Sequence, residues 1–463
     1  MSWLPNIHFD ISERKVLLRF IDVVVIFVSL AFFSRILEFN YFVITRARWS
    51  WILVLFTYFS VFASIFELYD LRMANSYTST LRKVILTISA TVLFYLLTPF
   101  FTPVLPENRF QILAFYLAMV GGLVIWRYAY ISLIAIPRFY KKILVVGDAY
   151  DIEYIIENLQ KADPNYKVVA FVNTEQETNT PDASREIKSI TVSKLQMAVK
   201  RLGISEIVVS STASGIDTAL YNKLIVLLER GYSIREFTQV YEELTYRLPV
   251  HHVGKDFYKY FPFSRNNQNR FYLFFHRLFN VVFSIFICLL TLLFIPFILI
   301  GNLLGNRGKL FYTQERVGRN GIPFTIIKFR TMVADAEKNG AQYSQKNDLR
   351  VTPFGKFMRY TRLDELPQCI NILKGDMSLI GPRPERPVFV KELSEKIPFY
   401  EIRHIVRPGL TGWAQVKGRY ASTDDDALEK LQYDLYYIKH RNIFLDIDII
   451  IKTISTVIYY RGQ

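Results

Sequence analysis

Four apolar runs fill the first third of the chain, at Val16–Leu37, Trp51–Tyr69, Val84–Phe101 and Ile112–Ile136. Each is about as long as a helix must be to cross the hydrocarbon core of a bilayer. Trp49, Trp51, Tyr69, Trp126 and Tyr128 sit near their ends, where amphipathic rings settle at the interface. At 51% hydrophobic residues and mean hydropathy +0.19, the chain is too apolar for an ordinary soluble protein. Basic residues orient the spans. Arg14, Lys15 and Arg19 open the first run, Arg72, Arg82 and Lys83 follow the second, and Arg138, Lys141 and Lys142 follow the fourth. The positive-inside rule places all three groups in the cytoplasm, with Arg46 and Arg48 counting against it. The amino terminus lacks the short apolar core and small-residue cleavage site of a signal peptide.

A soluble unit comes next. Lys142–Asp148 reads as a buried strand ending in a turn, Val168–Val172 and Glu206–Ser210 as further strands, and Tyr150–Lys161 and Thr218–Arg230 as helices. This alternation predicts a doubly wound parallel sheet, a Rossmann-like α/β domain. A dinucleotide site needs a glycine-rich turn after the first strand. The turn Gly147-Asp148-Ala149-Tyr150-Asp151 has one glycine and two carboxylates that repel a pyrophosphate, so the domain reads as structural or regulatory. Beyond a basic, aromatic connector lies Val281–Leu304, again long enough to span. Pro296 removes a helical hydrogen bond inside it. Arg270, His276 and Arg277 precede it, and Asn306, Arg307 and Lys309 follow, without the charge asymmetry of a simple crossing. A helix bent at Pro296 that enters and leaves by one face accounts for both flanks; a proline-kinked fifth span is the other reading. The expected organisation is four transmembrane helices over 1–140, the Rossmann-like domain over 141–250 and a connector over 251–275. A re-entrant helix with a small α/β catalytic domain and interfacial amphipathic helices completes it over 276–463.

The net charge of +15 points to anionic partners. In so apolar a chain these are lipid and phosphate groups, and nucleic acid is not expected. Cys288 and Cys369 are too few for a zinc site or a disulfide framework. Phosphate chemistry becomes legible after Leu310. Phe311–Gly318 and Phe324–Met332 read as a hairpin around Asn320-Gly321, with Lys328 and Arg330 on one strand face. Thr352–Arg362 mixes Phe354, Phe357 and Met358 with Lys356, Arg359 and Arg362, as an interfacial helix does, although an amphipathic core helix has the same spacing. Arg362-Leu363-Asp364-Glu365-Leu366-Pro367-Gln368 sets two adjacent carboxylates before a proline, and Gly381-Pro382-Arg383-Pro384 aims an arginine from a stiff loop. A carboxylate can attack an electrophilic phosphorus, and an arginine can hold phosphate oxygens by paired hydrogen bonds. Capping of the following helix by Thr361 or Asp364 is the plainer reading of the acidic pair.

From His276 onward the chain closely resembles the bacterial sugar transferase domain of the monotopic phosphoglycosyl transferases. The resemblance rests on the proline-broken membrane helix, Gln314–Gly318, Lys328–Met332, Leu363–Gln368, Gly375–Ser378, Gly381–Pro384, Arg407-Pro408-Gly409-Leu410-Thr411-Gly412-Trp413 and Leu445-Asp446-Ile447. It covers about two-fifths of the chain, and the whole arrangement is similar to that of the large members. The family commonly has serine before the helix-breaking proline, whereas this chain has Ile295-Pro296. The resemblance implies transfer of a sugar-1-phosphate from a UDP-sugar to undecaprenyl phosphate at a bacterial inner membrane, on its cytoplasmic face, with release of UMP and with Mg²⁺. Asp364 would be the nucleophile of a ping-pong route. Glu365 would orient it, help hold Mg²⁺ or assist the lipid phosphate. Substrate binding would fall to Arg316, Lys328, Arg330, Arg359, Gly381, Pro382, Arg383 and Pro384. Trp413, Lys417 and Arg419 are candidates for the donor pocket, and the sequence leaves both the sugar and homo-oligomer formation open.

Two other functions compete. A membrane-anchored nucleotide-sugar dehydratase needs an intact cofactor loop, which the Gly147 turn does not offer, and βαβ alternation that the carboxyl-terminal half lacks. A scaffold or sensor of polysaccharide assembly would keep its function without Asp364.

Overall fold

The computed structural model describes residues 11–37, 41, 49–69, 77–133, 141–163, 166–174, 187–210, 216–250, 269–306, 308–333, 335–336, 340, 348–418 and 424–458. It divides into two compact units, Met1–Val240 and Tyr241–Gln463.

The first unit opens with helices Ile11–Ile36, Trp49–Ile65, Tyr77–Leu97 and Phe110–Leu133. Lys15–Ile36, Tyr77–Leu97 and Phe110–Ser132 are long and apolar enough to cross a membrane. Trp49–Ile65 is shorter than its apolar run, at 17 residues. At about 1.5 Å per residue it still reaches roughly 26 Å, the low end of the spanning range. A left-handed Glu67 (φ 53°) stops it, Leu68 N–H donates to Ala63 O at 2.8 Å, and Lys83 Nζ donates to the Glu67 carbonyl at 2.9 Å. Leu55, Phe59, Ile88, Tyr95, Met119 and Leu123 form the buried centre of the bundle. Sequence reading missed an ion pair inside it. Arg127 Nη2 lies 2.5 Å from Asp22 Oδ2, Trp126 Nε1 donates to Asp22 Oδ1 at 3.0 Å, and both charged side chains are buried. Such charges persist in an apolar bundle only when paired. Arg46, Arg48, Arg72 and Arg138, used above for topology, lie outside the described residues.

The same unit holds a five-stranded, all-parallel sheet of β1 (Lys141–Gly147), β2 (Tyr166–Asn173), β3 (Lys188–Ser189), β4 (Glu206–Val209) and β5 (Ser233–Glu236), in the order β3-β2-β1-β4-β5. β1 is apolar without alternation because both its faces are buried. Leu144 and Val146 pack with Leu195, Val199, Leu220 and Leu224, while the alternating Ile143 and Val145 face the other side. After Gly147, Asp148 accepts a hydrogen bond from Thr174 Oγ1.

The second unit takes in Tyr241–Val250, which the sequence reading grouped with the sheet. Leu248 N–H donates to Gln432 O at 3.1 Å, Trp413 Nε1 donates to Tyr246 O at 3.1 Å, and Glu242 pairs with Lys439 at 2.7 Å. Leu248 and Val250 thereby join a core with Ile372, Trp413 and Tyr437. Of the connector 251–275, residues 251–268 lie outside the described residues.

A helix then runs from Arg270 to Gly301, its first N–H groups capped by Asn269 Oδ1. It begins well before the apolar run because Tyr272, His276, Asn280 and Ser284 form a polar stripe every four residues. Tyr272 donates to Asp446 Oδ2 at 2.6 Å, and Asn280 exchanges hydrogen bonds with Ser378 and Leu379. The helix does not end at Pro296, where a break was expected. It continues to Gly301 and adds a π turn over Asn302–Asn306. Its carboxyl end is fixed by Phe354, whose ring fills the notch left by Gly301 and Gly305; a Cβ at Gly301 would lie 2.1 Å from that ring.

β6 (Phe311–Val317) and β7 (Pro323–Phe329) form the expected antiparallel hairpin, turning through left-handed Asn320 (φ 57°) and Gly321 (φ 77°). β8 (Ser378–Ile380) pairs in parallel with β9 (Gly409–Thr411).

Candidate active site

Helix Pro353–Thr361 starts at Thr352, whose Oγ1 accepts from Gly355 N–H at 2.9 Å. It ends at Arg362, held left-handed at φ 59°. A non-glycine residue in that region is uncommon. The reversal leads at once into a tight 3₁₀ turn, Leu363–Glu365, then into helix Gln368–Lys374. Asp364 and Glu365 are buried in that turn, and neither they nor Thr361 caps the next helix, whose N-cap position is Pro367. The capping explanation of the acidic pair therefore fails.

Glu365 is the hub. Its Oε1 accepts from Arg383 Nη2 at 2.6 Å and from Lys328 Nζ at 3.1 Å, and its Oε2 lies 4.0 Å from Arg362 Nη1. Burial alone would raise its pKa, but Arg383, Lys328 and Arg362 outweigh it and hold the carboxyl well below the usual range. Asp364 has no such clamp. Its Oδ1 is buried and accepts no hydrogen bond from the described residues. Burial, reinforced by the charge of Glu365, pushes its pKa up to about 6 against the pull of Lys328, Arg359 and Arg362. The two adjacent acids are thus driven apart, one locked as a carboxylate and the other poised near neutrality.

The arginine loop is built by close backbone contact between the strands. Gly381 N–H donates to Thr411 O at 2.9 Å, and Gly409 N–H donates to Pro382 O at 2.8 Å. A Cβ at Gly381 would lie 2.4 Å from Arg407 O, so the glycine permits the approach. Arg316 Nη1 donates to the Pro384 carbonyl at 3.2 Å and lies 3.6 Å from Glu385. Arg316, Lys328, Gln368, Arg383, Pro384 and Gly409 line one small depression.

The sequence-predicted residues therefore divide. Lys328 and Arg383 meet on Glu365, and Arg316 joins them at the depression. Gly381, Pro382 and Pro384 act through their backbone. Arg359 Nε donates to Thr331 Oγ1 at 2.9 Å while its charge favours ionised Asp364. Arg330 was expected to share a face with Lys328; it lies one residue past β7, its N–H donates to Leu310 O at 2.9 Å, and its side chain lies beside Gly308. Trp413 is buried in the core, with Lys417 Nζ 5.4 Å from its ring centroid, and Arg419 lies outside the described residues.

Several supports were missed. Arg403 donates to the Arg383 carbonyl at 3.0 Å and pairs with buried Asp434 at 2.7 Å, fixing the arginine loop. Asn371 donates to Thr325 O and accepts from Ile327 N–H, tying the helix after the acidic pair to the strand that carries Lys328. Arg277 donates to the carbonyls of Ile372 and Leu373 at 2.7 Å and caps that helix from the apolar one. Each partner is far away in sequence, so no local signal marks them.

Among the described residues no three His, Cys, Asp or Glu side chains gather as a metal site. Mg²⁺ does not require such a cage: it keeps waters and uses one or two carboxylates with substrate phosphates. The Asp364 carboxylate suits that role better than Glu365, whose Oε1 is already held by two cations.

The family model described as "Bacterial sugar transferase" matches residues 271–460. The chain is 51% identical over 155 residues to a UDP-N-acetylgalactosamine-undecaprenyl-phosphate N-acetylgalactosaminephosphotransferase of Aeromonas hydrophila, covering 34% of this chain and 37% of that protein. It is 42% identical over 164 residues to a UDP-glucose:undecaprenyl-phosphate glucose-1-phosphate transferase of Xanthomonas campestris, covering 35% and 34% respectively. An uncharacterized sugar transferase of Bacillus subtilis is 37% identical over 186 residues, which is 40% of this chain and 88% of that shorter protein. The matched part thus spans only about a third of the Aeromonas and Xanthomonas proteins.

Proposed function

The chain belongs to the bacterial sugar transferase family, and from that premise we propose that it moves a sugar-1-phosphate from a UDP-sugar to undecaprenyl phosphate in a bacterial inner membrane. The observation that carries this reading is the buried acidic pair, in which Glu365 gathers Arg383 and Lys328 beside an Asp364 with an unspent oxygen. In the first half-reaction an Asp364 oxygen bonds to the sugar-bearing phosphorus while the bond to the leaving phosphate breaks, and the electron pair departs with UMP. In the second, a phosphate oxygen of the polyprenyl phosphate attacks the same phosphorus and releases Asp364. Lys328, Arg383 and Arg316 hold phosphoryl oxygens throughout, and their positions need no reorganisation as charge shifts. Mg²⁺ held by Asp364, with Glu365 beside it, and by substrate oxygens would neutralise phosphoryl charge. The parallel-sheet unit is Rossmann-like and takes no part in the chemistry. Purified full-length protein with undecaprenyl phosphate and a panel of UDP-glucose, UDP-galactose and their acetamido counterparts should release UMP with at least one donor. Silence with all of them would remove the proposal.

The pH dependence follows from Asp364. Its ionised form is the nucleophile, and its pKa is about 6. Protonation therefore removes activity on the acid side: kcat/KM for the donor should level off above about pH 7 and fall about tenfold per unit below pH 6. A profile unchanged from pH 8 to pH 5 would rule out Asp364 as the titrating nucleophile.

The helix Arg270–Gly301, which runs on through Pro296, is proposed to be re-entrant, with both ends on the cytoplasmic side. The donor is cytoplasmic, and basic side chains flank both ends. Arg270 and Lys309 are exposed and suit labelling. With Cys288 and Cys369 replaced by alanine, a cysteine at either position should react with a membrane-impermeant maleimide only after the cytoplasmic face is opened. Reaction at position 309 in intact spheroplasts would mean a full crossing.

A further inference from the structure

The depression beside the acidic pair contains a buried donor that finds no acceptor among the described residues. Gln368 is the first residue of helix Gln368–Lys374, four residues beyond Asp364 and just after the 3₁₀ turn that carries it. It is only 3% exposed, and its Nε2 is buried without an acceptor. Leaving a buried amide donor unpaired typically costs about 1–3 kcal/mol, so such groups are few and call for a reason. Arg316 Nε, on the same depression, is also buried without an acceptor. Across the turn, Asp364 Oδ1 is a buried acceptor without a donor. The Gln368 amide and the Asp364 carboxylate do not satisfy each other. Unspent donors and an unspent nucleophilic oxygen beside Lys328 and Arg383 suit one kind of occupant: an electrophilic phosphorus carrying negatively charged oxygens.

We propose that Gln368 is a substrate ligand, its Nε2 donating to a non-bridging oxygen of the phosphoryl group that Asp364 attacks. The inference rests on the function proposed above. A neutral amide gives this position a role that a further cation could not fill. Its N–H stabilises charge building on the phosphoryl oxygen without competing for Glu365, which already holds Arg383 and Lys328. No proton moves to or from Gln368. Its bond to the oxygen strengthens as the Asp364–phosphorus bond forms and the bond to UMP breaks.

The test uses the full chain in nanodiscs, with Gln368→Met and Gln368→Glu. Met keeps the length and fills the volume without a donor; Glu keeps the shape but sets a negative charge against the phosphate. Gln368→Met should lower the rate of UMP release about tenfold to a thousandfold, as removal of one preorganised donor does. Its thermal midpoint should be equal to or above that of the unchanged protein, because an unsatisfied buried donor has gone. Gln368→Glu should lose more activity. Inorganic pyrophosphate should raise the midpoint of the unchanged protein and raise it less in either variant. A Gln368→Met protein with full UMP release, or one with a lowered midpoint and an unchanged pyrophosphate response, would show a merely structural glutamine and overturn the inference. If the unchanged protein releases no UMP but the pyrophosphate response still depends on Gln368, the anion contact stands and the transfer reaction fails.

Discussion

Asp364→Asn should abolish UMP release, lowering the rate on the order of 10⁴-fold or more, as loss of a covalent nucleophile does in other enzymes. The amide keeps the shape of the side chain but has no charge to deliver to phosphorus. The fold should survive. Asp364 caps no helix, and its Oδ1 forms no hydrogen bond that the substitution could break. Removing a charge that burial already disfavours should leave the thermal midpoint level or higher. The measurement is a single-turnover assay for UMP beside a thermal melt. Near-normal turnover by well-folded Asp364→Asn would exclude the aspartyl intermediate, and activity lost together with the fold would return Asp364 to a structural role.

Glu365→Gln should lower turnover by roughly a hundredfold to a thousandfold through a different route. The carboxylate fixes both Arg383 Nη2 and Lys328 Nζ on one oxygen, and a neutral amide holds neither cation as tightly. The two phosphate ligands then lose their common anchor. A second effect identifies the cause. The Glu365 charge helps to raise the pKa of Asp364, so removing it should lower that pKa and move the acid limb of the activity profile below pH 6. A smaller rate with an unmoved acid limb would mean that Glu365 only positions the cations. An unchanged rate would mean that the hub has no part in the reaction.

The helix Arg270–Gly301 links the apolar and chemical halves of the second unit. Arg277 caps the helix that follows the acidic pair, and Asn280 fixes the strand that leads to the arginine loop. The amino-terminal part of this helix is therefore a wall of the unit that carries the acidic pair. Its far end receives Phe354 in the Gly301–Gly305 notch, which anchors the helix that delivers Arg362 to the turn of the acidic pair.

Local chemistry made much of this readable. The apolar runs announced helices because hydrocarbon leaves backbone groups no other partner. Asn320-Gly321 announced a hairpin because its turn needs positive φ twice, and β1 announced a parallel sheet because a strand covered on both faces loses its alternation. The acidic pair and the proline-flanked arginine were visible as motifs because their residue types are suited to phosphorus.

The sequence by itself determined the apolar helices, the parallel sheet, the hairpin and the identity of the acids and bases that could meet a phosphate. Only the tertiary structure decided which of them meet. Lys328 and Arg383 reach Glu365 from opposite sides of it in the chain, Arg403 reaches the Arg383 carbonyl from beyond both, and Arg127 finds Asp22 from another helix. It also decided that Asp364 and Glu365, neighbours with nearly the same chemistry, hold their protons differently. The reason is physical: propensity and periodicity act between near neighbours, whereas burial and ion pairing depend on what the fold brings alongside.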